Sequence, residues 1–277
     1  MVRIIDVCSG KGGVGKTTVA LNLAAALARF GARVAVIDCN LTTSHVGLYT
    51  GMYSTAKTLN DFLRNQSRLE DIVYTHRSGV RIVPASLDLD DLVGVDTSNL
   101  KDAIGDVFRD FDFVLLDSAP GFGRESLIAM NASDEMLFIA NPFIPSVVDV
   151  VKYSQLPEPI PKPLGIVLNR VRNKKYELPK NEIMQFTDLP VVGIVPEDEH
   201  VLGAVNKSAL IVEYKKNSRA SKAFMAIAAN LIGIEYKRHW FFRRRNDIVN
   251  SYPRLGAMNR RNELFGGSHQ FERIWDK

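Results

Sequence analysis

The run Gly10-Lys11-Gly12-Gly13-Val14-Gly15-Lys16-Thr17 constrains this chain more than any other stretch. It satisfies the spacing GxxxxGK[ST], with an apolar run, Arg3–Cys8, entering it and an alanine-rich segment, Lys16–Phe30, leaving it. That segment places Leu21, Ala24, Ala25 and Ala28 on one helical face and meets Gly31, a natural helix stop. A strand, a glycine-rich turn and a helix in this order form a phosphate cradle. Successive backbone N–H groups must converge on phosphate oxygens, which only glycine permits at such close approach. The helix adds the partial positive charge of its N-terminus. On this reading Lys16 reaches the β- and γ-phosphates, the Thr17 hydroxyl ligates Mg²⁺ and Thr18 is a further phosphate contact.

The rest of the pattern agrees. Short β-rich runs at Arg33–Asp38, Val80–Pro84, Phe113–Asp117, Glu135–Ala140, Leu164–Asn169 and Val191–Val195 alternate with amphipathic segments, as in βαβ units. The fold class expected is α/β: a doubly wound, mostly parallel sheet with helices on both faces. Helices are expected near Leu59–Arg64, Leu100–Asp110, Arg124–Met130, Val147–Tyr153, Lys180–Phe186, Asp198–Lys207 and Ser218–Ile232. The proline-rich Pro157–Pro163 reads as a rigid connector in neither element.

Asp38 and Asp117 each close a strand, and in an open parallel sheet ligands bind at the carboxyl ends of strands. The alternative for each is a turn or helix-cap role.

Lys11 opens the loop, and no generic phosphate loop requires it. The whole run KGGVGKTT resembles the deviant Walker A loop of the MinD/ParA family of ATPases, and the chain is most similar to the MinD branch. The resemblance runs from about Arg3 to Ile232. It takes in the strand ending at Asp38, the run Asp117-Ser118-Ala119-Pro120-Gly121, Asn169 after GIVL, and VVGIVPEDEHVLGAVNKSALIV. It implies ATP or ADP with Mg²⁺ as ligands and an ATP-dependent homodimer in which Lys11 crosses to the partner's phosphates. It also implies that Asp38 holds the attacking water or a Mg²⁺-bound water and that Asp117 sits behind the metal. Asn169, with the backbone around Pro196, Glu197 and Asp198, would hold adenine. MinD-branch proteins usually carry a second carboxylate where this chain has Asn40, and an amide orients water without taking its proton. Slow or partner-activated hydrolysis follows. His45, where relatives often have Asn, reads as a polar loop residue.

The related reductase and Fe–S carrier branches need cysteines beyond the loop, and this chain has none after Cys39. Cys8 and Cys39 read as reduced, buried small hydrophobes. The kinases of similar fold carry a tyrosine-rich tail, whereas only Tyr236 and Tyr252 stand here.

Composition divides the chain at about Ile234, giving an ATPase domain over 1–234 and a tail over 235–277. From Tyr236 onward ten basic residues face four acidic ones, a surplus of six in a chain whose whole surplus is four. Lys237-Arg238-His239-Trp240-Phe241-Phe242-Arg243-Arg244-Arg245 interleaves aromatics with cations. It makes a poor amphipathic helix, so the case for an anionic membrane surface rests on composition and on a short similarity of Arg260–Gly267 to MinD C-termini. Nucleic acid is the weaker alternative, and a protein activator is a further expected partner. The first strand pattern starts at Val2 or Arg3, leaving no room for a signal peptide, so a cytoplasmic protein is expected. Three functions stay open: a membrane-associated positioning regulator, a DNA-partition ATPase, and an ATP-bound scaffold that hydrolyses nothing appreciable.

Overall fold

A computed structural model describes residues 1–121, 123–153 and 160–236. The basic tail beyond Tyr236 and the residues Pro157–Pro159 of the expected connector therefore lie outside the described residues.

In chain order the elements are β1 (Arg3–Cys8), α1 (Lys16–Arg29), β2 (Val34–Cys39), α2 (Val46–Thr50), α3 (Leu59–Leu63), β3 (Tyr74–Thr75), β4 (Arg81–Val83), α4 (Leu100–Val107), β5 (Phe113–Ser118), α5 (Arg124–Ala132), β6 (Glu135–Ala140), α6 (Ile144–Tyr153), β7 (Lys162–Val171), α7 (Lys180–Thr187), β8 (Val191–Pro196), α8 (Glu199–Val205), α9 (Ile211–Tyr214) and α10 (Arg219–Leu231). Eight strands form one sheet in the order β3-β4-β2-β5-β1-β6-β7-β8. All neighbours run parallel except β3 against β4. The order reverses on either side of β1, which puts the turn after β1 at the switch point where open α/β sheets bind ligands.

Central strands buried on both faces read as continuous apolar runs, and β2 and β5 are buried at every position. On one face β1 contributes Ile5 and Val7 to a cluster with α1 and α10; on the other Ile4 packs with α4 and α5. α1 is more enclosed than its one-face pattern suggests. Val19 to Leu27 are all shielded from solvent, apart from a trace at Asn22, because α10 and α9 cover the side turned away from the sheet. A helix apolar all round belongs in an interior.

Two local expectations need correction. The connector ends sooner than its prolines imply: Lys162 and Pro163 already belong to β7, Pro163 lying opposite Met136 where the register shifts. Proline, lacking an N–H, is tolerated at a strand's start or at such an irregularity. The short elements α2, β3 and α9 carry too few residues to show a period, and sequence reading misses them.

Candidate functional site

β1 delivers the chain into the loop, and Gly15, at φ 98°, is the residue before α1. No side chain caps this helix and no acidic residue stands in its first turn. Its leading N–H groups are thus offered to an anion instead of being consumed internally. The glycines are needed where neighbours press in. A Cβ on Gly10 would fall 2.0 Å from Asp149 Cβ, and one on Gly15 would fall 2.3 Å from Asn169 Nδ2. Gly12 and Gly13 are exposed beside Lys11, while Val14 anchors the loop in the core.

The loop's two lysines have opposite surroundings. Lys16 is buried, and burial pulls its ammonium below the usual lysine range against the raising influence of Asp117. Lys11 is exposed, and its ammonium has no hydrogen-bond or ion-pair partner among the described residues. Replacing Lys16 by Ala removes the only buried cation of the cradle. The affinity for ATP is expected to fall about tenfold or more, and calorimetry giving wild-type affinity would overturn its role.

Asp38 and Asp117 lie opposite each other in register on β2 and β5, one residue before each strand ends. Both are almost fully enclosed. Burial raises both carboxyls above the ordinary range, and for Asp117 the facing Asp38 charge raises it further. Their partners differ. Asp38 organises the following loop: Oδ1 accepts the Asn40 N–H at 3.1 Å. Oδ2 accepts the Ser44 hydroxyl at 2.7 Å and the amides of His45 and Val46 at 3.2 and 3.1 Å. This arrangement is the turn role offered as its alternative. Both oxygens of Asp117 are buried without a hydrogen-bond partner. An orphaned carboxylate behind Lys16 and Thr17 is what a hydrated cation would satisfy. No three His, Cys, Asp or Glu side chains converge on a metal position among the described residues. A Mg²⁺ held here would draw mostly on phosphate oxygens, water and Thr17, as Mg²⁺ commonly does.

Asn169, near the end of β7, donates through Nδ2 to the Val14 carbonyl at 2.8 Å, and Asn141 Nδ2 donates to the Asn169 carbonyl at 3.0 Å. The amide expected at the base thus also braces the phosphate loop. Around Pro196 the side chains are committed. Glu197 pairs with Arg172, and Asp198 caps α8 and accepts the Ala220 amide at 3.1 Å. The Glu197 N–H goes to the Val171 carbonyl. Thr18 is buried, its carbonyl accepting from Asn22 Nδ2 at 2.8 Å. Sequence reading missed Asn141, Ser44, Asp149 and Glu125. The first follows a strand's carboxyl end and could have been found by that rule; Ser44 turns back to Asp38 within an irregular loop, and Asp149 and Glu125 depend on helix placement that no spacing shows. Cys8 and Cys39 are free and buried, as expected. A groove of about 680 Å³ lies at the opposite ends of the strands, against Arg3, Phe30 and Phe111, and holds none of these residues.

A doubly wound sheet with an uncapped, glycine-lined helix N-terminus at its switch point, a buried lysine and two buried aspartates is a P-loop nucleotide-binding protein. The family model described as an AAA domain matches residues 2–147. An uncharacterized ATP-binding protein of Methanocaldococcus jannaschii is 36% identical over 83% of this chain and 88% of its own. The antiactivator FleN of Pseudomonas aeruginosa is 31% identical over 82% and 85%. The septum site-determining protein MinD of Pyrococcus horikoshii, solved complexed with Mg-ADP, superposes with a TM-score of 0.79 at 31% identity, over 83% of this chain and 96% of that one. The chain belongs to the MinD/ParA family of P-loop ATPases.

Proposed function

We propose that this chain is a nucleotide-switched ATPase that dimerises with ATP, hydrolyses it slowly and acts as a MinD-like positioning regulator. The observation that carries the reading is the orphaned Asp117 carboxylate behind Lys16 and Thr17, facing the loop-bound Asp38 across two strands. The Mg-ADP in the Pyrococcus horikoshii relative supports the ligand assignment.

In this reading the N–H groups of Gly10, Lys11, Gly12, Gly13, Val14 and Gly15 cradle phosphate oxygens, with Thr18 adding a contact. Lys16 would hold the β- and γ-phosphates, and Thr17 would ligate Mg²⁺, whose waters Asp38 and Asp117 would hold. Mg²⁺ held there would supply positive charge to the phosphates. Lys11, free and exposed, reaches the partner's nucleotide. Asn169 and the backbone of Pro196, Glu197 and Asp198 hold adenine. Asp38, held by its loop amides, orients water, and with Asn40 in place of a second acid the rate stays low. Residues 1–234 form the ATPase domain. The tail over 235–277 supplies a reversible hold on an anionic membrane surface, with the protein otherwise cytoplasmic. No described helix is long and apolar enough to cross a membrane.

Asp38→Ala is expected to abolish phosphate release under single-turnover conditions while leaving the ATP dimer intact in light scattering. A fully active variant removes Asp38 from the reaction. The whole reading is tested by phosphate release and sedimentation of the full chain with ATP, against anionic vesicles, neutral vesicles and duplex DNA across a salt series. ATP-enhanced, partly salt-resistant binding to anionic vesicles supports it. Binding to DNA alone, lost steeply with salt, points to partition instead.

A further inference from the structure

Glu125 stands outside the residues assigned to nucleotide, yet one residue of the Asp38 loop engages both of its carboxylate oxygens. Thr42 donates its backbone N–H to Oε1 at 2.5 Å and its hydroxyl to Oε2 at 2.8 Å. Glu125 lies in the first turn of α5, which starts just past the turn at Gly121 that follows Asp117 and β5. α5 is seated in the core through Ala129 and Ala132, against β2 and β5, so its first turn is a fixed point. The loop is closed at its other end as well. Asn40 donates Nδ2 to the Thr43 carbonyl at 2.7 Å and accepts the Thr43 hydroxyl at 3.0 Å, while Ser44, His45 and Val46 grip Asp38.

An acidic residue in a first helical turn is ordinarily explained by the helix dipole. That explanation needs no second residue, and it does not account for a carboxylate holding the backbone and the side chain of one residue on another loop. Hydrogen bonds to an ionised acceptor are short and strong and fix direction as well as distance. Thr42 is exposed and Glu125 half-buried, so water competes for the contact and it adds little to global stability. Its effect falls on which arrangement of the loop is populated.

We propose that Glu125 is a positioning residue: through Thr42 it clamps the Asp38 loop to the helix that follows Asp117, so that the two phosphate-facing aspartates change position together. This rests on the ATPase reading of the site. A change at the β5 turn moves the start of α5, and Glu125 passes it to the loop whose amides hold Asp38. Without the clamp the loop samples arrangements in which Asp38 does not face the phosphates. Nucleotide still binds, because the cradle from Gly10 to Thr18 is untouched, but fewer bound molecules are poised to react.

The experiment compares full-length wild type with Glu125→Ala and Glu125→Gln. In nucleotide-free protein, hydrogen exchange of the amides from Asn40 to Val46 is expected to be about tenfold faster in Glu125→Ala. Glu125→Gln stays within about threefold of wild type, because its carbonyl still accepts the Thr42 N–H and its amide can donate to the hydroxyl. Single-turnover hydrolysis falls about tenfold in Glu125→Ala while the ATP dissociation constant moves less than about threefold. Wild-type exchange in Glu125→Ala overturns the clamp. So does faster exchange with unchanged hydrolysis, or a loss of ATP affinity parallel to the loss of rate. If the wild type releases no phosphate, the ATPase reading fails on its own, and the exchange comparison still decides whether the clamp exists.

Discussion

Lys11→Ala is expected to bind ATP within a few-fold of wild type, to remain monomeric with ATP in light scattering, and to release no phosphate. The lysine costs the fold nothing to remove, since it is exposed and without a hydrogen-bond or ion-pair partner among the described residues. Its neighbour in sequence pattern, Lys16, already occupies the buried position beside Asp117. Two ammonium groups directed at one triphosphate from one chain repel, whereas a lysine contributed by a second chain is drawn in only when the γ-phosphate is present. Dimer formation then reads the nucleotide state through differential affinity. A cation supplied in trans to a phosphoryl group is worth several orders of magnitude in rate in other P-loop enzymes. An alanine variant that dimerises normally with ATP would return Lys11 to the role of a solvated surface lysine.

Asp6→Asn is expected to be more stable than wild type by several kcal/mol near pH 8 and little different near pH 4. Asp6 sits in the middle of β1, almost fully enclosed, with both carboxylate oxygens unpartnered. Ser118 lies beside it, but its hydroxyl is directed to the carbonyls of Val7 and Ala119. Burial raises the Asp6 carboxyl to about 8; Ser118 and Lys16 oppose this and Asp117 reinforces it. The folded protein therefore keeps this proton between about pH 4 and pH 8 while the unfolded chain releases it. With more protons bound to the native state, stability falls as pH rises, by about 1.4 kcal/mol per unit for one such group. The contribution is intact below about pH 4, lost progressively up to about pH 8, and flat beyond. Asparagine resembles the neutral acid in shape and cannot ionise, so the slope disappears. Denaturant unfolding of both nucleotide-free proteins at several pH values in this window measures the difference. Parallel curves would mean that Asp6 finds a partner or water in solution.

The fold was largely written in the sequence, because burial on both faces makes central strands into apolar runs that alternate visibly with helices. All seven strands expected from pattern stand within one or two residues of their places. β3, with two residues, carries no period at all. The phosphate loop was equally legible, since a glycine turn between strand and helix is local in sequence. The rest of the site was not, for a shared reason. Asp38 could be seen at a strand end, but not that four donors from its own loop close around it. Asp6 looked like one polar letter in an apolar run, and nothing local marks a carboxylate as unpartnered. Glu125 meets Thr42 across 83 positions, a distance only the folded sheet determines.

The enclosure of α1 between the sheet and the last described helix also has a bearing on how such a chain is made. Arg29 donates to the Val212 carbonyl and Asn22 accepts the Val212 amide, contacts 183 and 190 positions apart, and α10 covers the same helix from still further along. On the ribosome the phosphate loop and α1 emerge well before α10, whose surface shields that helix. Until then a face of alanine, valine and leucine stands open to water, the condition under which nascent chains recruit chaperones or associate wrongly. The phosphate loop is anchored to that helix, so a half-made chain carries the signature of a nucleotide site before it can hold one in shape. Competence to bind therefore waits for α10 to be made.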